Sequence, residues 1–156
     1  MRRKDKEIQD RSSIDRIISK AEVCRLGLCK DNMPYIVPVS FGYDGECIYF
    51  HTACEGMKID YLDSNDKISF ELEHDVKIIP HDAPCNWSFS FYSVIGFGTV
   101  EEITDPRLKA RALGRILEHY SKEEWNLTET PLDKTRLWRI VIDRVTGKQS
   151  KDKTAI

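Results

Sequence analysis

Long apolar runs are missing from this sequence: none approaches the ~20 residues that a membrane-spanning helix needs. The opening text, MRRKDKEIQDR, is charged throughout where a signal peptide would carry an apolar core, so the expectation is a cytoplasmic protein without membrane contact. An excess of one charge is missing too. Lysine and arginine number 24 against 26 aspartates and glutamates, and a formal net charge of -2 gives no pull toward nucleic acid, so any phosphate must be held locally. Cysteine is scarce and has no CxxC pair. Cys24, Cys29, Cys47, Cys54 and Cys85 form an odd set, which speaks against a disulfide framework, and Cys24, Cys29 and Cys47 lie in strand-like text where a thiol serves as a small hydrophobe. A zinc set of His51, Cys54, His81 and Cys85 has none of the usual ligand spacings.

What is present suits one compact domain: 156 residues, 40% of them hydrophobic, are enough for a core without metals or disulfides. Residues 1–11 read as an extended arm, 12–148 as the domain and 149–156 as a tail. SSIDRIISKAE supplies Ser12 or Ser13 as a helix N-cap ahead of Ile14, Ile17, Ile18 and Ala21 at helical spacing. Residues 23–43 read as a hairpin turning at DNMP, with Pro38 marking an edge or a bulge. Asp44-Gly45 turns the chain into ECIYFHT, a third strand pairing back on the second. A short helix follows in KIDYLDSN, and KISFELEHD alternates Ile68, Phe70 and Leu72 against Ser69, Glu71 and Glu73 as a fourth strand. Residues 75–88 read as an irregular loop. SFYSVIGFGTVEEI is a fifth strand, in which Gly96 and Gly98 suggest bulges or a close backbone approach. Asp105-Pro106 caps and opens the longest helix; WNLTETPLDKT is a loop, and LWRIVIDRVTG is the sixth strand. Hairpin-linked strands without βαβ alternation predict an antiparallel sheet closing into a small barrel.

The chemistry-bearing stretch is YFHTACEGMKIDYL, residues 49–62, a strand that passes through small residues and Gly56 into a helix carrying Lys58 in its first turn. Helix starts expose N–H groups without intrahelical partners, and a lysine there opposes the helix dipole unless an anion is bound. His51, Thr52 and Ala53 end the strand with donors and little bulk, so a phosphate is the expected ligand. The alternative is an ordinary turn glycine and a solvated lysine. Upstream, IVPVSFGY offers an edge strand whose Pro38 leaves a neighbour unpaired, either as a contact for a planar amide-edged ring or simply as protection against aggregation.

RRK, PYIVPVSFGYDG, IYFHTACEGMKID, SVIGFG and VTGK, in that order, together resemble the FMN-binding split-barrel proteins related to pyridoxamine 5'-phosphate oxidase, and most of all the nitroimidazole-resistance (Nim-type) group. The resemblance implies a mainly β fold, a six-stranded antiparallel split β-barrel of Greek-key order with peripheral short helices and one longer late helix. It implies a homodimer holding FMN in clefts shared between subunits. By motif, Val39, Ser40 and Phe41 would line the isoalloxazine, His51, Thr52 and Ala53 the ribityl chain and phosphate, and Lys58 the phosphate. Tyr92, Ser93 and Val94 would come from the partner subunit, with Trp87 and Trp138 as weaker contacts.

Flavin does the electron transfer itself, so no catalytic triad is required, and the four scattered histidines form none. The implied activity is reduction of a small planar acceptor, such as a nitroaromatic, with NADH or NADPH as donor. Met57 stands where many Nim-type relatives carry a histidine, and a thioether donates no proton, which puts nitro reduction in doubt; Met57 could instead pack against the flavin or the helix start. The alternatives are a flavin or ligand store without turnover, and a haem protein using His51 or His81. Arg107, Lys109, Arg111, Arg136 and Arg139 read as solvated faces rather than as a second phosphate site for pyridoxamine phosphate.

Overall fold

The computed structural model describes residues 3–127, 132, 134–153 and 156. Eight strands form one antiparallel sheet: β1 (Glu7–Ile8), β2 (Cys24–Lys30), β3 (Met33–Val39), β4 (Phe41–Tyr43), β5 (Cys47–Thr52), β6 (Lys67–Ile79), β7 (Ser88–Ile103) and β8 (Arg136–Gln149). Three α-helices accompany it: α1 (Arg11–Lys20), α2 (Met57–Leu62) and α3 (Pro106–Tyr120). The sheet runs β3-β2-β6-β7-β8-β5-β4, with β1 added along β8.

Two strands more than expected arise at two places. The second predicted strand breaks at Ser40: its first half, β3, pairs with β2, and its second half, β4, pairs with β5. The two ends of the sheet are therefore consecutive in the chain, and the barrel is closed by a covalent link rather than by a ladder. The other addition is β1, where Glu7 and Ile8 pair with Lys148 and Gly147, so the expected arm is stitched into the sheet and Ile8 is buried. The helix N-cap is Asp10, not Ser12 or Ser13. Its carboxylate accepts the Ser13 N–H at 2.9 Å and both serine hydroxyls, which hold its pKa at about 2.

The alternation in β6 holds as read, with Ile68, Phe70 and Leu72 inside. β6 continues through Ile79 past a register shift and β7 starts at Ser88, so strand replaces residues 75–79 and 88 of the expected loop over 75–88. The Gly96 and Gly98 expectation is met in both forms: a Cβ on Gly96 would lie 2.1 Å from the Phe70 ring, and the β7–β8 register shifts at Phe97/Gly98. The tail is tied down as well. Ser90 Oγ donates to Asp152 at 2.5 Å, the Phe91 N–H donates to Ser150 Oγ at 3.0 Å, and Lys153 pairs with Asp75. The loop expected over 125–135 lies partly outside the described residues.

Ile14, Ile17 and Ile18 of α1 join Phe41, Phe50, Phe70 and Leu72 in the main core, each such side chain contributing about 1.5–3 kcal/mol by leaving water. α3 packs outside the barrel on β4, β5 and β8, its Ala112 and Ile116 against Ile103 and Leu137. Its backbone comes so close to β4 that a Cβ on Gly42 would lie 2.4 Å from the Arg115 carbonyl. No helix among the described residues is long and apolar enough to cross a membrane.

Candidate functional site

Strand pairing brings the two predicted halves of a ligand site together. Phe41 lies opposite Phe50, so the break at Ser40 sits beside the His51 end of β5, where the chain enters the turn to α2. Gly56 makes that turn with φ 115 and ψ 170, a conformation that is essentially glycine's alone, and a Cβ there would meet nothing within 4 Å, so the turn faces open space. The Gly56 carbonyl accepts from Ile59 and Asp60 at 2.8 and 3.2 Å. The amides of Met57 and Lys58 precede any intrahelical acceptor and remain available donors.

Two basic side chains share this corner. Burial lowers the Lys58 pKa, and burial followed by the Lys58 charge lowers that of His51. Among the described residues Lys58 has no carboxylate partner, although Glu55 and Asp60 are neighbours in sequence. A cation that is partly desolvated, unpaired and close to another base is electrostatically unfavourable until an anion arrives.

The other candidates separate by burial. Val39 is 7% exposed and Phe41 is fully buried, with its N–H given at 3.1 Å to the Tyr120 hydroxyl, so Ser40 is the exposed residue at the break. Thr52 is buried and turned inward: its hydroxyl donates to Ala53 O at 2.8 Å and accepts the Trp138 indole N–H at 3.0 Å. It holds the turn in place rather than lining it. Trp138, nearly fully buried, stacks on Phe50 and underlies the Arg136 guanidinium at 4.5 Å, so it is a core residue and not a ring contact. Ala53 and Met57 are exposed, and Met57, 61% exposed, does not pack at the helix start. Trp87 is exposed, with its indole N–H on His81 O at 2.7 Å.

Of the three residues expected from a partner, Val94 is wholly in the core and Tyr92 nearly so, which leaves Ser93 outward-facing beside Glu71, Phe89 and Lys148. Along β8 the partner of His51 is Leu137 and the partner of Ser93 is Lys148. Eleven residues of strand separate them, a contour length of roughly 35 Å at ~3.3 Å per residue. Ser93 and the His51 end of the turn thus pair near opposite ends of β8.

Other expectations resolve differently. Among the described residues no group of three or more potential metal ligands converges, so His51, Cys54, His81 and Cys85 are not assembled. Cys24 is buried as expected, Cys47 half-buried and Cys29 exposed. Arg136 is no solvated residue: it grips Asp63 at 2.7 and 2.9 Å and Glu102 at 2.6 Å. Tyr120 and His119 carried no sequence signal beyond the end of a helix. His119 Nε2 meets Ala21 O at 2.7 Å and its ring lies 4.2 Å from Phe41.

The family model for pyridoxamine 5'-phosphate oxidase matches residues 10–149. The chain belongs to the pyridoxamine 5'-phosphate oxidase family. Among solved structures, a candidate 5-nitroimidazole antibiotic resistance protein of Bacteroides thetaiotaomicron shares 31% identity with a TM-score of 0.80, covering 91% of this chain and 85% of that one. An FAD and heme binding protein of Mycobacterium smegmatis, 20% identical with a TM-score of 0.79, covers 96% and 77% respectively and shows the shared fold. A curated relative, the uncharacterized protein RA0666 of Rhizobium meliloti, is 31% identical over 65 residues, a match spanning 42% of either chain. The pyridoxamine 5'-phosphate oxidase fold, with flavin-binding structural neighbours, thus frames the Ser40 and Lys58 corner.

Proposed function

We propose that this protein is an FMN-dependent oxidoreductase acting as a homodimer, with each flavin held in a cleft between subunits and a small planar molecule as electron acceptor. The observation that carries the reading is the closeness of His51 and Lys58, both with depressed pKa, without a carboxylate partner for Lys58 among the described residues, at a Gly56 turn that opens onto empty space. These residues suit a phosphate-tailed cofactor: Lys58 and the amides of Met57 and Lys58 would take the phosphate, His51 and Ala53 would lie along the chain leading from it, and Val39 and Ser40 would meet the ring. Flavin, when bound, supplies the electron transfer, and this chain's residues supply position, charge and access.

The pairing of His51 and Ser93 near opposite ends of β8 supports the dimer, in which a second copy would bring its Ser93 to this protomer's Lys58 corner. Ile36, Ile95 and Phe97, 71%, 47% and 42% exposed, leave an apolar outer face suited to that partner. A soluble, cytoplasmic protein using NADH or NADPH as donor fits the reading.

A second reading, flavin binding without turnover, is favoured by one observation: Met57, exposed at the turn, offers a substrate no proton. The absorption spectrum of the purified protein, followed by anaerobic NADH or NADPH, tests both. A flavin spectrum that bleaches and returns with an acceptor marks the enzyme. A flavin that stays oxidised marks the binder, and protein that stays colourless after FMN is added, or shows a haem band, overturns both.

A further inference from the structure

We infer that the cavity between the first half of α3 and the outer face of β5 and β8 is a second binding site, for a small organic anion with an apolar body. It encloses about 350 Å3 and is lined by Tyr49, Leu108, Arg111, Ala112, Arg115 and Arg139, none of which the flavin reading uses. That volume lies at the small end of the range for metabolite pockets.

The charges around it are unevenly committed. Every acid on its wall already serves the fold: Asp44 accepts the amides of Glu46 and Cys47 at 2.9 and 2.8 Å and the Tyr49 hydroxyl at 2.7 Å. Asp105 caps α3 by accepting the amides of Arg107 and Leu108, each at 2.9 Å. Glu102 holds Arg136 at 2.6 Å. The arginines are less occupied. Arg111 has no carboxylate partner among the described residues, and Arg115 pairs with the exposed Glu118 at 2.8 Å, a pair that solvent screens, and acts on Asp44 through its charge without a hydrogen bond among the described residues. Arg139 is oriented by a two-point grip from Glu101, at 2.8 and 2.6 Å.

Arg111 and Arg115 are one turn apart on one helix face, so their planar forks reach the same space, the arrangement that suits a carboxylate or phosphate. Leu108, 46% exposed, stands one turn earlier on that face, with Ile103 and Ala112 behind it. An anionic head on Arg111 and Arg115 with an apolar body over Leu108 uses the two less occupied guanidinium groups and the exposed apolar side chain of the wall. A cation would meet three acids already engaged by the fold, Asp44, Glu102 and Asp105, and guanidinium groups that repel it.

The test is a titration of the full-length protein, loaded with FMN or as isolated should it bind none, with benzoate, acetate and benzylamine, followed by amide resonances. The expected result is saturable benzoate binding with Kd of about 1 mM or tighter, shifting Thr104, Leu108 and Arg111, with acetate on the order of tenfold weaker. Arg111→Ala with Arg115→Ala should weaken benzoate about tenfold or more, and the flavin spectrum and FMN affinity should not change. Benzylamine binding here as tightly as benzoate, equal benzoate affinity in the double variant, or no saturable shift would each overturn the inference.

Discussion

The phenol of Tyr120, the last residue of α3, accepts the N–H of Phe41 at 3.1 Å and donates to Glu22 O at 2.9 Å. One hydroxyl thus joins the late helix, the entrance to β2 and the first residue after the break at Ser40. The donor it satisfies lies where the sheet ends and no neighbouring strand can take it. Tyr120→Phe leaves that amide unpaired, and the expected cost is about 1–3 kcal/mol, read as a lower urea midpoint at unchanged slope. An unchanged midpoint would mean that water replaces the phenol.

Lys58→Ala removes a charge that pairs with no carboxylate among the described residues, so folding stability should change little while FMN affinity falls about tenfold or more, the equivalent of about 1.5–3 kcal/mol. Fluorescence titration of FMN against both proteins decides it. Equal affinity would remove Lys58 from the phosphate site.

His51 gives a pH signature. Its folded pKa lies below the ordinary 6.5, first through burial and then through Lys58. Between those two values the unfolded chain holds a proton that the folded chain lacks, so stability present above 6.5 is lost as pH falls through the window. The stability difference between wild type and His51→Gln should therefore shift against wild type on acidification. In Lys58→Ala the His51 titration, followed by NMR, should move up toward the ordinary value without reaching it.

Gly42→Ala places a methyl 2.4 Å from the Arg115 carbonyl and 2.6 Å from the Ile116 amide, both helix backbone that cannot rotate aside. A loss of about 1–3 kcal/mol or more is expected, visible as a lower melting temperature. Gly45→Ala makes a control for steric effects, since nothing lies within 4 Å of its added carbon; its own cost comes from φ 98 alone.

Phe97→Glu puts a charge on the outer apolar face while leaving the core untouched. On the proposed dimer, the expected outcome is a monomer by sedimentation with weakened FMN binding, because the shared cleft would be lost. A dimer that persists would place the subunit contact elsewhere.

Much of this was legible in the amino-acid order because it is governed by near neighbours. The inward alternation of Ile68, Phe70 and Leu72, the Asp105-Pro106 helix start and the strand–glycine–lysine turn at 51–58 all follow from local backbone preference and period. That the strand over 33–43 splits at Ser40 did not follow: both halves carry the same β signal, and which neighbour each one pairs with is set by residues far along the chain. Burial at the site was decided the same way. Of the expected ligand contacts, Thr52 gives its hydroxyl oxygen to the Trp138 indole and Phe41 its amide to Tyr120, from 86 and 79 residues away. Local spacing tells which groups can donate or carry charge; only the folded packing, by spending some donors and leaving Lys58 without a counter-ion among the described residues, decides which remain for a ligand.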